Sequence, residues 1–213
     1  GALVQQLLVP AGAITVIAAS IMLLRQHDLK RMWAYSSVEH VGLLTLAIGI
    51  GATPIFVLHA LNHSLVKVAL FLLAGNILHL YGTKALNKLS GLLQLAPVWG
   101  VALAAATFAI AGSPPFGTFI SEWLLLRDTV AAGEILAAGV VLVGLTITFI
   151  ALTLHLARVV FGRVPKAVTL TPAWSWAVIP GLLLVVSLAT GLAVSPPAMA
   201  LLSTLATRGV ALP

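Results

Sequence analysis

Cysteine is absent from the 213 residues, which excludes disulfides, cysteine-held iron–sulfur clusters and covalent haem attachment. Charge is scarce as well. Only 8% of residues are Asp, Glu, Lys or Arg and 61% are hydrophobic, whereas ordinary soluble domains are about 25% charged. So few charges cannot cover a soluble protein of this size, so lipid is the solvent for most of the chain. The basic excess, 11 residues against 5 acidic, does not form the single patch that nucleic acid would require. It sits in short segments between apolar runs, as the positive-inside rule describes. There is no glycine-rich phosphate loop, Walker pattern or nucleophile elbow. No residue set suits a flavin, haem or nickel–iron centre, so no cofactor is expected and any electron transfer belongs to another subunit. The chain lacks a start methionine and a signal-peptide pattern. It is therefore expected to be a fragment, or the processed end of something longer.

What is present is a series of long apolar runs bounded by turn or charge signals. They predict an all-α integral membrane protein, a single bundle over residues 1–213 with about six transmembrane helices. The expected spans are Leu7–Leu24, Met32–Ile50, Ile55–Tyr81, Leu95–Leu126, Glu134–Ala157 and Ala173–Val194. One set of connections receives Arg25, Lys30, Arg31, Lys84, Lys88, Arg158, Arg163 and Lys166. The other receives Arg127 and Arg208, with Asp128 and Glu134 beside the first. This bias places the basic loops in the cytoplasm of a cell inner membrane.

The fourth run is too long for one simple crossing and is interrupted by Ser113-Pro114-Pro115-Phe116-Gly117. Each proline removes a backbone donor and clashes with the preceding turn, so the helix must break there. A surface loop would leave Phe116 to Leu126 to recross the bilayer alone, which is too short at about 1.5 Å per residue. The expected arrangement is one discontinuous helix broken inside the membrane. Such breaks are tolerated where protein or water satisfies the freed groups, and they build ion sites in transporters. Glu122 follows the break by about two turns.

Lys67 lies near the middle of the third run, about 13 residues or 20 Å from either end, too far for its amine to reach the interface. A charge there costs roughly 2.5–3.5 kcal/mol on insertion scales, so such residues face a partner or a hydrated path. His59 and His63 share its helix face at successive turns. Three groups spaced about 6 Å apart suit a proton relay when water fills the gaps, since histidine exchanges protons near neutral pH. The bland alternative is interhelical hydrogen bonding that only fixes packing. Metal binding by the His59/His63 pair is not expected, because no third ligand stands nearby in sequence. Glu122 is the acidic end of such a route, against the alternative of an interfacial pair with Arg127. Glu39 and His40 are an accessory branch or a satisfied cluster between helices. His27, His79 and His155 read as loop or interfacial residues. Trp33, Trp99, Trp174 and Trp176 read as an aromatic belt.

Three segments together resemble one family. His27-Asp28-Leu29-Lys30-Arg31 through Ala34-Tyr35-Ser36-Ser37-Val38-Glu39-His40-Val41-Gly42 is the first. The second is His59-Ala60-Leu61-Asn62-His63-Ser64-Leu65-Val66-Lys67, and the third is Ser113-Pro114-Pro115-Phe116-Gly117 through Glu122. They are similar to antiporter-like subunits of respiratory complex I and energy-converting hydrogenases, most of all component F of hydrogenase 4. The resemblance implies a subunit that moves protons, or sodium ions, when redox chemistry in partner subunits of a hydrogenase- or complex I-like assembly drives it. It also implies relay roles for His59, His63, Lys67 and Glu122. The family's earlier, inverted half is not among these residues, so the resemblance implies that the chain is the C-terminal portion of a longer antiporter-like subunit. The alternatives are a sodium/proton antiporter subunit and a structural membrane anchor without ion conduction.

Overall fold

A computed structural model describes residues 2–164, 173–193 and 204. Lys166, Arg208 and the Val194 edge of the sixth expected span lie outside them. The described residues form helices α1 (Ala2–Leu24), α2 (Leu29–Gly49), α3 (Thr53–Tyr81), α4 (Leu92–Leu95), α5 (Pro97–Ile110), α6 (Gly117–Ala131), α7 (Ile135–Phe161) and α8 (Val178–Ala193). Their ends follow local chemistry. Asp28 caps α2, its carboxylate accepting from the Lys30 and Arg31 amides at 2.9 and 3.1 Å, which satisfies donors the first turn leaves unpaired. Pro54 opens α3 and Gly82, at φ 65°, closes it, in the left-handed conformation that costs glycine little.

By length and apolarity, four helices among the described residues suffice to cross a bilayer: Gln6–Leu24, Thr53–Tyr81, Ile135–Phe161 and Trp174–Ala193. Helix α2 matches them at 21 residues but carries Lys30, Arg31 and Glu39. The expected fourth span is two helices, α5 and α6, separated by the Pro114-Pro115 segment. The expected count of six therefore depends on α2 and the α5–α6 pair also crossing.

Helix α3 is the axis of the bundle, touching α2, α5, α6 and α8, while α1 packs on α2 and α7. At the α1–α2 crossing Gly12 and Gly42 face each other. A Cβ on Gly12 would lie 2.7 Å from the Gly42 carbonyl oxygen, and one on Gly42 would lie 2.9 Å from that of Gly12. Small residues let membrane helices approach this closely. The outer face is apolar, with Leu136, Leu182, Leu192 and Phe161 all exposed, as a lipid-facing surface requires.

The basic connections meet at one end. The Leu29 amide donates to the Lys84 carbonyl and the Leu86 amide to that of His27, both at 2.9 Å. Lys84 pairs with Asp28 at 3.0 Å, and the Ser90 hydroxyl donates to the Arg163 carbonyl at 2.6 Å. Two of the expected belt tryptophans are instead in the core. Trp33 and Trp99 are only 1% and 2% exposed, and the Trp99 indole donates to the Ala173 carbonyl at 3.1 Å. Position near the end of an apolar run does not reveal which face a residue occupies. Trp174 and Trp176 are exposed.

Candidate functional site

The site starts from the helix break. The Ile110 carbonyl closes α5, and its helical partner four residues on would be Pro114, which has no N–H. That carbonyl is instead 3.2 Å from Nε2 of His40, on α2. Beyond the break the chain is sewn back to α5, with the Thr118 hydroxyl donating to the Ala109 carbonyl. The turn also makes room for the acid. Gly112, at φ +66°, would direct a Cβ into the Glu122 carboxylate.

Around this break four titratable side chains converge from three helices. Nδ1 of His40 lies 2.9 Å from Nε2 of His59 and 4.0 Å from Oε1 of Glu122. Nδ1 of His59 lies 2.8 Å from the Ser121 hydroxyl. The His63 ring stacks at a tilt on His40, with centroids 4.8 Å apart, and lies 6.4 Å from that of His59. His40, His59, Ser121 and Glu122 are buried. Buried Oε1 of Glu122 and Nε2 of His63 have no hydrogen-bond partner among the described residues.

Lys67 stands apart from this cluster. Its ammonium donates to the Trp33 carbonyl at 2.8 Å and the Ser36 hydroxyl at 2.6 Å, both on α2, and the residue is buried. Glu39 points away from the break. Oε1 accepts from the Ser20 hydroxyl at 3.4 Å, Thr148 adds a hydrogen bond to Ser20, and Oε2 has no partner among the described residues. The structure thus brings His40, His59, His63 and Glu122 together, sets Lys67 at the α2–α3 contact and turns Glu39 towards α1 and α7. Glu122 makes no interfacial pair with Arg127, whose guanidinium instead binds Asp128 at 2.7 Å.

Sequence reasoning gave His40 only an accessory place and passed over Ser121. The sole signal for Ser121 was a hydroxyl directly before Glu122. The third ligand that the sequence lacked for a metal does arrive through folding, since ligand atoms of His40, His59 and Glu122 all lie within 4.8 Å of one another. The 2.9 Å between the two imidazole nitrogens is nevertheless a hydrogen-bond length. Two nitrogens at 2.0–2.1 Å from one tetrahedral zinc would be roughly 3.3 Å apart.

Residues 1–151 match the family model described as NADH:quinone oxidoreductase/Mrp antiporter, TM. A hydrogenase-4 component F homolog of Methylacidiphilum infernorum is 42% identical over 160 residues, which cover 74% of this chain and 33% of that protein. The Na(+)/H(+) antiporter subunit A1 of Staphylococcus epidermidis is 33% identical over 135 residues, covering 56% of this chain and 17% of that one. The chain therefore spans a third or less of either relative. Among solved structures, a chain of the membrane-bound sulfane sulfur reductase, an archaeal respiratory membrane complex, superposes with a TM-score of 0.85 at 25% identity. That match covers 95% of this chain and 42% of that one.

Proposed function

The chain belongs to the NADH:quinone oxidoreductase/Mrp antiporter transmembrane family, and from there we propose that it translocates protons within a redox-driven assembly of the hydrogenase 4 or complex I type. The observation that carries this reading is the buried row itself. His63, His40 and His59 stand in ring contact, His40 reaches Glu122 at 4.0 Å, and the row ends on a helix broken within an apolar bundle. Protons enter from the basic-loop end, which the charge bias assigns to the cytoplasm. They pass Lys67 and the histidines, with water bridging gaps longer than a hydrogen bond, and leave through Glu122. Redox chemistry resides in partner subunits. Coupling is electrostatic, because a charge arriving beside the row acts strongly in a low-dielectric interior.

The test is Lys67→Ala and Glu122→Gln in the full-length protein inside its complex. Loss of a positioned proton carrier predicts a drop in proton translocation of roughly a hundredfold or more, with assembly and yield retained. Unchanged pumping would reject the relay, and loss of assembly in both variants would favour an inert anchor. Sodium/proton antiport is the second reading, supported by the relative named a Na(+)/H(+) antiporter subunit. Its sign is sodium-dependent exchange without a redox donor.

A further inference from the structure

The Ser121 hydroxyl has one proton and two neighbours placed to receive it. Oγ lies 2.8 Å from Nδ1 of His59 and 2.8 Å from the Thr118 carbonyl. The carbonyl only accepts, whereas the ring nitrogen accepts or donates according to its protonation. On the far side of the pair, Nε2 of His40 faces the Ile110 carbonyl, another pure acceptor, so that nitrogen carries a hydrogen. In a neutral His40, Nδ1 is then the acceptor that faces His59.

Two arrangements keep every one of these buried atoms paired, and they differ by one proton. In the neutral arrangement the Ser121 hydroxyl donates to His59 Nδ1. His59 Nε2–H donates to His40 Nδ1, and His40 Nε2–H donates to Ile110. In the charged arrangement the pair holds three ring protons on four nitrogens. His59 Nδ1–H now donates to Ser121 Oγ, whose own hydrogen has turned to the Thr118 carbonyl. One proton is shared between His59 Nε2 and His40 Nδ1, 4.0 Å from the unpartnered Glu122 oxygen.

We propose that Ser121 is a positioning residue whose hydroxyl turns between His59 and Thr118, allowing the His40–His59 pair to take up and release one proton without stranding a buried polar atom. The proposal rests on the relay reading above. In the step, the proton in transit breaks its bond to the relay water or side chain that carries it, one N–H bond forms on His59 Nδ1, and the Ser121 hydrogen changes acceptor from Nδ1 to the Thr118 carbonyl. No electron moves. Without the hydroxyl, the neutral ring loses its donor and the charged ring loses its acceptor. Both states then contain an unpaired buried nitrogen, and the penalty is the larger for the charged one.

The experiment measures proton translocation by the full-length subunit assembled in its complex in proteoliposomes, with Ser121→Ala and Ser121→Thr beside the natural protein. Infrared difference spectra with ring-labelled histidine accompany it. Ser121→Ala is expected to slow translocation roughly tenfold to a hundredfold, the range for a buried group left unpaired, and to remove the protonated-imidazole bands. Ser121→Thr, which keeps a hydroxyl, is expected to restore both. If alanine blocks assembly, Ser121→Cys, a near-isosteric but weak donor, replaces it with the same expectation. Natural flux and spectra in Ser121→Ala would overturn the proposal, as would a threonine variant as impaired as alanine. Lys67→Ala and Glu122→Gln run in parallel separate the two readings. Flux lost in those two but natural in Ser121→Ala removes the hydroxyl device alone, whereas natural flux in all three removes the relay with it.

Discussion

At the scale of single residues, Asp28 shows how one side chain serves both cap and clasp. Partial burial pushes its carboxyl up. The Arg31 amide, the Lys84 ammonium and the Lys30 amide outweigh that and hold it below the ordinary carboxylate value. A carboxyl depressed in the folded state stabilises it fully above the unfolded value near 4, and that contribution is lost as pH falls through the lower, folded value. Asp28→Asn should therefore lower the thermal midpoint at pH 7 and flatten the acid decline below about pH 4. Asp28→Ala, which also removes the cap, should cost about 1 kcal/mol. Thermal unfolding of the purified subunit in detergent at a series of pH values checks both, and identical acid profiles for the natural protein and the Asp28→Asn variant would contradict the account. At this scale the sequence was partly legible. His59, His63 and Lys67 fall on one face by helical spacing alone. The contacts of His40 with His59 and of Ser121 with His59 depend on the register in which α2, α3 and α6 cross, which no local pattern encodes.

At the scale of elements, the broken helix was legible because proline leaves little choice. Pro114 and Pro115 cannot continue a helix, and the segments on either side are too short to cross separately. Its consequence for the site was not legible, because it arises from Ile110, whose unpaired carbonyl meets His40 only in three dimensions. The turn supplies its own internal control. Gly112 and Gly82 both have left-handed backbones, but a Cβ on Gly112 meets the Glu122 carboxylate whereas one on Gly82 meets nothing within 4 Å. Both Gly→Ala changes should cost about 1–2 kcal/mol from backbone strain. Gly112→Ala alone should also displace Glu122 and depress proton translocation. Equal flux in the two variants would show that the turn does not hold the acid in place.

At the scale of the whole molecule, composition pointed to lipid as the solvent, the long apolar runs to a helical bundle, and the charge bias anticipated that the basic loops share one end. A chain with no natural cysteine allows the sidedness of that end to be measured without background. Lys88→Cys in the basic loops should react with a membrane-impermeant maleimide only in inverted vesicles, and Ala132→Cys at the α6–α7 turn only from the outside. Labelling of both from one side would contradict the topology. The clasp between those loops bears on how the protein is made. The connection after α1 finds its backbone partners in residues 84–86, beyond α3, and Ser90 finds its partner at Arg163, beyond α7. Each hairpin emerging from the ribosome must wait, its polar backbone still wetted, until a later segment arrives on the same side to close it. Among the described residues this end of the bundle is laced shut in the order of synthesis, its latest stitch falling only after α7 has been inserted.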